Sequence, residues 1–140
     1  MDKQNKLDQL NAMNKNTLME ALDINFSDVG EGFMEATMPV NHKVHQPYGI
    51  LHGGASIALA ETVGSVLSAT SIDYKIYKSV GMQMTANHLR PKRDGIVTAR
   101  AEFIKQGRTT HLVKIEIRDE ENNLISYCHL TNSIVSINYV

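Results

Sequence analysis

The chain has 140 residues, a hydrophobic fraction of 42% and a formal net charge of −1, which is the profile of one globular domain with a core of its own. A balance so close to zero gives no electrostatic footprint for nucleic acid or an anionic membrane. The single cysteine, Cys128, rules out an intrachain disulfide and suits a reducing, cytoplasmic compartment.

In chain order, the first stretch (MDKQNKLDQLNAMNKNT) is polar and amphipathic and has no apolar core of the signal-peptide type. Residues 1–22 form an N-terminal helical segment. Leu7, Leu10 and Met13, then Leu18, Met19 and Leu22, give its apolar steps, and Asn16 or Thr17 is placed to cap a second group of turns. Residues 32–40 alternate, with Met34, Ala36, Met38 and Val40 on one face and Phe33, Glu35 and Thr37 on the other, which predicts a strand with one covered face. Pro39 ends that strand or lies at an edge. Residues 41–51 (NHKVHQPYGIL) are a loop.

A long helix over 52–72 follows, built from Gly, Ala, Ser and Thr as much as from Leu, Ile and Val. Real membrane spans are more strongly apolar than this, so its small residues argue for a buried helix. Strands are then expected over 79–90, 96–106, 109–119 and 124–137. The middle two alternate clearly, and Glu120–Asn123 makes the hairpin turn before the last. The order is thus a helix, two strands, one long apolar helix and a run of antiparallel strands, an α+β arrangement. The long helix reads as buried nearly all round, more than one sheet can cover, so a second copy of the chain is the simplest cover for the rest.

Glu61 is the sharpest chemical clue. It is the only ionisable residue between Gly53 and Ile72, and a carboxylate is expensive to bury unpaired. It reads as a general base or nucleophile, or else as a group paired from a distant strand or facing solvent at the helix edge. Ser65, four residues on, shares its face and can donate to it, or is simply small enough to let helices approach. His52-Gly53-Gly54 precedes the helix, where free N–H groups suit an oxygen with partial negative charge; a plain tight turn is the other reading. His45 and His52 have no cysteine or carboxylate at ligand spacing, so no metal site is expected. The basic residues Arg90, Lys92, Arg93, Lys105 and Arg108 are a solvated face or a holder of phosphates.

The segment HQPYGILHGGASIALAETVGS (45–65), with VGMQMTANHLRP (80–91) and the Gly107-Arg108 turn, resembles the hotdog-fold thioesterases that carry a glutamate on the central helix. The resemblance covers most of the chain. It implies an antiparallel sheet wrapped around one long helix in a single domain over residues 1–140, and hydrolysis of an acyl-CoA with an aromatic or medium-size acyl group. It implies Glu61 as nucleophile or base, Ser65 as its orienting hydroxyl, Gly53 as the carbonyl-polarising N–H, and His52 and Gln46 beside the thioester. His88, Arg90 and the turn Lys105–Thr109, with Gly107, Arg108 and Thr109, match regions near the pantetheine arm and nucleotide. Lys92 and Arg93 extend that basic rim. Leu89 stands where one branch of the family has a second histidine. No cofactor is implied beyond the coenzyme A of the substrate. Nor is a nucleic-acid or membrane partner. The implied assembly is a homodimer with shared active sites, pairing further into a homotetramer. Gly53 and Glu61, eight residues apart, are separated by about 12 Å along one helix, which favours such sharing. Two other readings belong to the same fold: a non-catalytic acyl-CoA-binding module, and a hydrolase of acyl groups on a carrier protein. A dehydratase would need a histidine that the stretch between Gly53 and Asn87 lacks.

Overall fold

Alternating residues build one antiparallel sheet with a dry face and a wet one. The computed structural model describes residues 1–139. It runs α1 (Lys3–Ala12), α2 (Leu18–Ala21), β1 (Asn25–Gly30), β2 (Phe33–Pro39), a 3-10 turn (His42–Val44), α3 (Gly53–Ala69), β3 (Tyr77–His88), β4 (Ile96–Gln106), β5 (Thr110–Arg118) and β6 (Leu124–Ser136). The six strands form one sheet in the order β1-β2-β4-β5-β6-β3, and every neighbouring pair is antiparallel. This is the α+β hotdog arrangement expected from the sequence, with the sheet wrapped around α3.

The dry face is the one the alternation marks. Met34, Ala36 and Met38 of β2, Val97, Ala99 and Ala101 of β4 and Val113, Ile115 and Ile117 of β5 are all buried, and they meet Leu59, Ala60, Val63 and Leu67 of α3. Each large side chain so buried contributes about 1.5–3 kcal/mol. A Cβ on Gly64 would stand 2.8 Å from Leu130 Cδ2 and 3.3 Å from Ile115 Cδ1, so the helix lies directly on the sheet there. The wet face carries ion pairs along and between strands. Arg100 reaches Glu35 at 2.8 Å and Glu102 at 2.5 Å, and Arg118 reaches Glu116 at 2.7 Å. Such exposed pairs add little stability, but they mark this face as the one left to water.

The second group of turns in the N-terminal segment is there as expected, with Thr17 at its N-cap, and Asn16 takes a left-handed φ of 61° before it. Several other expectations need correction. Met13 and Leu18, read as apolar steps, are 72% and 59% exposed. The long helix starts at Gly53 and ends at Ala69 rather than running over 52–72. Its last carbonyls are taken by hydroxyls, Thr70 Oγ1 on Val66 O and Ser71 Oγ on Leu67 O. It is not buried all round. Ser56, Leu59, Ala60, Val63, Gly64, Leu67 and Ser68 face the sheet and are buried, whereas Gly54, Glu61 and Ala69 are exposed.

The two edges of the sheet are treated differently. At β1 a bulge between Phe26 and Asp28 interrupts the ladder, and α1 covers it. Asn11 accepts from Phe26 N at 2.7 Å and donates to Phe26 O at 3.0 Å, and Asn14 donates to Ile24 O at 2.9 Å. At the other edge the 12 residues of β3 pair only with β6 among the described residues. Tyr77, Val80 and Met82 are exposed along it.

Candidate active site

The start of α3 is held by its own cap. His52 Nδ1 accepts the Gly54 N–H at 2.8 Å, the usual capping bond to the second helical residue. An accepting Nδ1 carries no proton, so the ring's N–H is at Nε2, free to donate outward. The Gly53 N–H, first in the helix, has no acceptor among the described residues, and it lies at the positive end of the helix dipole.

Gln46 sits on the preceding loop, whose turn Gly49 closes with a φ of 72°. Tyr48 N–H donates to Gln46 Oε1. That bond fixes the amide, so the remaining NH₂ is a donor. His45 Nε2 is 2.7 Å from Arg93 O, and Leu51 N–H donates to Lys92 O at 2.7 Å, which tie the loop to the segment after β3.

Gln46 and Gly53 meet in one cleft of about 360 Å³, lined also by Ser56, His88, Arg90 and Ser126 among others. His88 packs against the helix start so closely that a Cβ on Gly53 would be 2.7 Å from its Nε2. Its Nδ1 is held by Ser126 Oγ at 2.8 Å. Only glycine leaves room for that ring. Ser56 and Ser126 escape a sequence reading because a serine inside an apolar helix or strand looks like filler.

Glu61 and Ser65 are elsewhere. Both lie on the open side of α3, in a separate hollow of about 470 Å³ shared with Leu18, Met19, Ile57 and Val66. Ser65 makes no hydrogen bond to Glu61 among the described residues, and no cation reaches the carboxylate. Of the two readings left open by the sequence, Glu61 therefore has no partner from a distant strand in one chain. Its carboxylate instead overlies Gly81 of β3: a Cβ there would be 3.1 Å from Glu61 Oε1. One chain thus presents Gln46 and Gly53 in one hollow and the Glu61 carboxylate in another.

The basic residues also separate. Arg90 lines the first cleft, while Lys105, Gly107, Arg108 and Thr109 line a further hollow of about 500 Å³ at the β4–β5 turn. Gly107 is required there because a Cβ would approach Thr110 O to 2.7 Å. Lys92, on the same rim, is held in an ion pair. It is bound to Glu120 at 2.6 Å, and that hydrogen bond raises its pKa above the ordinary lysine value. Glu120 in turn accepts the Ile96 N–H at 3.1 Å. The only cysteine, Cys128, is no nucleophile: burial pushes its thiol up to about 11. Among the described residues, no group of three His, Cys, Asp or Glu is placed to hold a metal. No helix among them is long and apolar enough to cross a membrane.

The model of the Thioesterase superfamily matches residues 48–126. The 1,4-dihydroxy-2-naphthoyl-CoA hydrolase of Escherichia coli is 40% identical over 92% of this chain and 94% of its own length. A thioesterase of Haemophilus influenzae, known from its crystal structure, superposes with a TM-score of 0.91 at 44% identity, covering 95% of this chain and 92% of that one. A mutant thioesterase of Pseudomonas aeruginosa superposes with a TM-score of 0.92 at 41% identity, covering 94% of each chain.

Proposed function

The chain belongs to the thioesterase superfamily and is a thioester hydrolase, and from that premise we propose that it hydrolyses acyl-CoA, with an aromatic or medium-size acyl group, in active sites shared between two subunits. The observation that carries this reading is the separation of the two hollows on α3. Gln46, His52 and Gly53 offer three donors near the helix start, while the one carboxylate on the helix faces out from its middle. Antiparallel pairing of two helices brings the start of one beside the middle of the other, and each site then has both sets. The open edge of β3 supplies the means of pairing. The dimer is proposed to pair again into a tetramer and to work in the cytoplasm.

The chemistry follows from the groups. The Gly53 N–H and His52 Nε2–H donate to the thioester carbonyl oxygen, where negative charge grows as the carbon becomes tetrahedral. The Gln46 NH₂ holds the acyl-thioester from the side. Glu61 of the partner subunit serves as the base for water, and Ser65 lies one turn further along the same face. Arg90 and Arg93, with Lys105 and Arg108, are the cations left for the phosphates of coenzyme A. Coenzyme A arrives and leaves as part of the substrate, so no cofactor is needed. Glu61→Gln keeps the shape and removes the base, and kcat on aryl- and alkyl-CoA thioesters should fall by roughly two to four orders of magnitude. A variant keeping more than about a tenth of the wild-type kcat would overturn the assignment.

A further inference from the structure

The inward face of β6 should be apolar throughout, yet Asn132 interrupts it with 0% exposure. Its amide is fully oriented. Nδ2 donates to Ser68 Oγ at 2.8 Å and to Gly64 O at 3.3 Å. A backbone carbonyl can only accept, so the nitrogen must be on that side. Ser68 Oγ is in turn 3.1 Å from Nδ1 of the buried His111. Asn132 Oδ1 is left pointing the other way, with no hydrogen-bond partner.

What it points toward is the site. Asn132 pairs with Gly81 across β3 and β6. The position a Gly81 Cβ would occupy is 3.7 Å from Asn132 Oδ1 and 3.1 Å from Glu61 Oε1. Ser79, two residues back on the same inward face, has a second buried oxygen without a partner. The β3 strand bulges just beyond, between Gly81 and Gln83. One orphaned polar atom, Asn132 Oδ1, and the Glu61 carboxylate therefore face the space that a side chain at residue 81 would fill. A buried polar group costs free energy unless it is paired, and a gap with two to four polar partners is where an ordered water is held.

We propose that this gap holds the water that attacks the thioester, with its two O–H groups donating to the Glu61 carboxylate and to Asn132 Oδ1, and that Asn132 is the positioning residue that aims it. The inference rests on the reading of Glu61 as the base. As the water oxygen bonds to the thioester carbon, one of its protons passes to the Glu61 carboxylate. The other stays hydrogen-bonded to Asn132 Oδ1. Collapse of the tetrahedral intermediate breaks the C–S bond, and the leaving thiolate takes the proton from Glu61. The products are the free acid and the thiol.

The test is a double-mutant cycle with Gly81→Ala and Asn132→Ala, read on an acyl-CoA thioester such as benzoyl-CoA, with Glu61→Gln alongside. Gly81 does not have a positive φ, so alanine fits the backbone while its methyl fills the gap. Each single variant should lose roughly tenfold or more in kcat with KM within about twofold. The double variant should be no slower than the slower single, because both remove the same water. Should Asn132→Ala not fold, Asn132→Ser, whose hydroxyl still serves Ser68, takes its place. Gly81→Ala with kcat within about twofold of wild type, or losses that multiply, would overturn the proposal even while Glu61→Gln stays slow. An active Glu61→Gln would instead sink the parent reading.

Discussion

His52 caps α3 with one ring nitrogen and leaves the other free, so the cap and the proposed carbonyl contact can be separated by substitution. His52→Asn keeps a capping oxygen and loses the outward N–H, whereas His52→Ala loses both. Both should lower kcat alike, by up to roughly 3 kcal/mol of barrier. Only the alanine variant should also lose stability, about 1 kcal/mol by denaturant titration at matched protein concentration. Equal stability with equal kcat loss would mean the cap contributes nothing. At this scale the sequence was informative where a residue type was out of keeping with its surroundings. Glu61 stands alone in an uncharged helix, and Gly53 follows a histidine at a helix start. Asn132 and Ser126 were out of keeping too, on the inward phase of β6. Nothing in one strand's pattern says which helix residue such a polar group will meet, so their roles appear only in three dimensions. The ion pair of Lys92 is equally out of reach of a local pattern, since its partner Glu120 lies in the distant turn between β5 and β6.

Among the elements, β2, β4 and β5 were the most predictable because their alternation is unbroken and one face is dry. The alternation does not delimit β1, and the cause is the bulge between Phe26 and Asp28. An inserted residue flips the phase of alternation, so six residues are too few to show it. The bulge also explains Asn11. Its amide copies a neighbouring strand by accepting from and donating to Phe26. Asn11→Leu keeps the bulk but leaves the N–H of the buried Phe26 without a partner. It should cost about 1–3 kcal/mol in unfolding free energy, with kcat unchanged. A variant as stable as wild type would show that water replaces the asparagine at no cost. The open side of α3 was the other blind spot. Gly, Ala, Ser and Thr suit a helix lying on a sheet and equally a helix waiting for a second helix, and composition does not separate the two.

For the whole molecule, the divided site makes a prediction no single chain could. Gln46→Ala and Glu61→Ala should each be nearly inactive. Refolded together, they should form hybrid dimers in which one site keeps both residues and the other keeps neither. With free and symmetric pairing about half the dimers are hybrids, so roughly a quarter of wild-type sites should return. Verified hybrids with no activity above their parents would disprove sharing. The unequal edges of the sheet carry a different consequence. A subunit with two open edges is a monomer unit for an endless ribbon, each addition exposing a fresh template. Here α1 stoppers one end of every subunit, with Asn11 occupying the bonds the next strand would need. Edge-to-edge growth through β3 therefore uses up its only sticky end in the first step. In the dimer proposed above, the same asparagine pair that steadies a bulge would make the joined sheet self-terminating, finite at two chains.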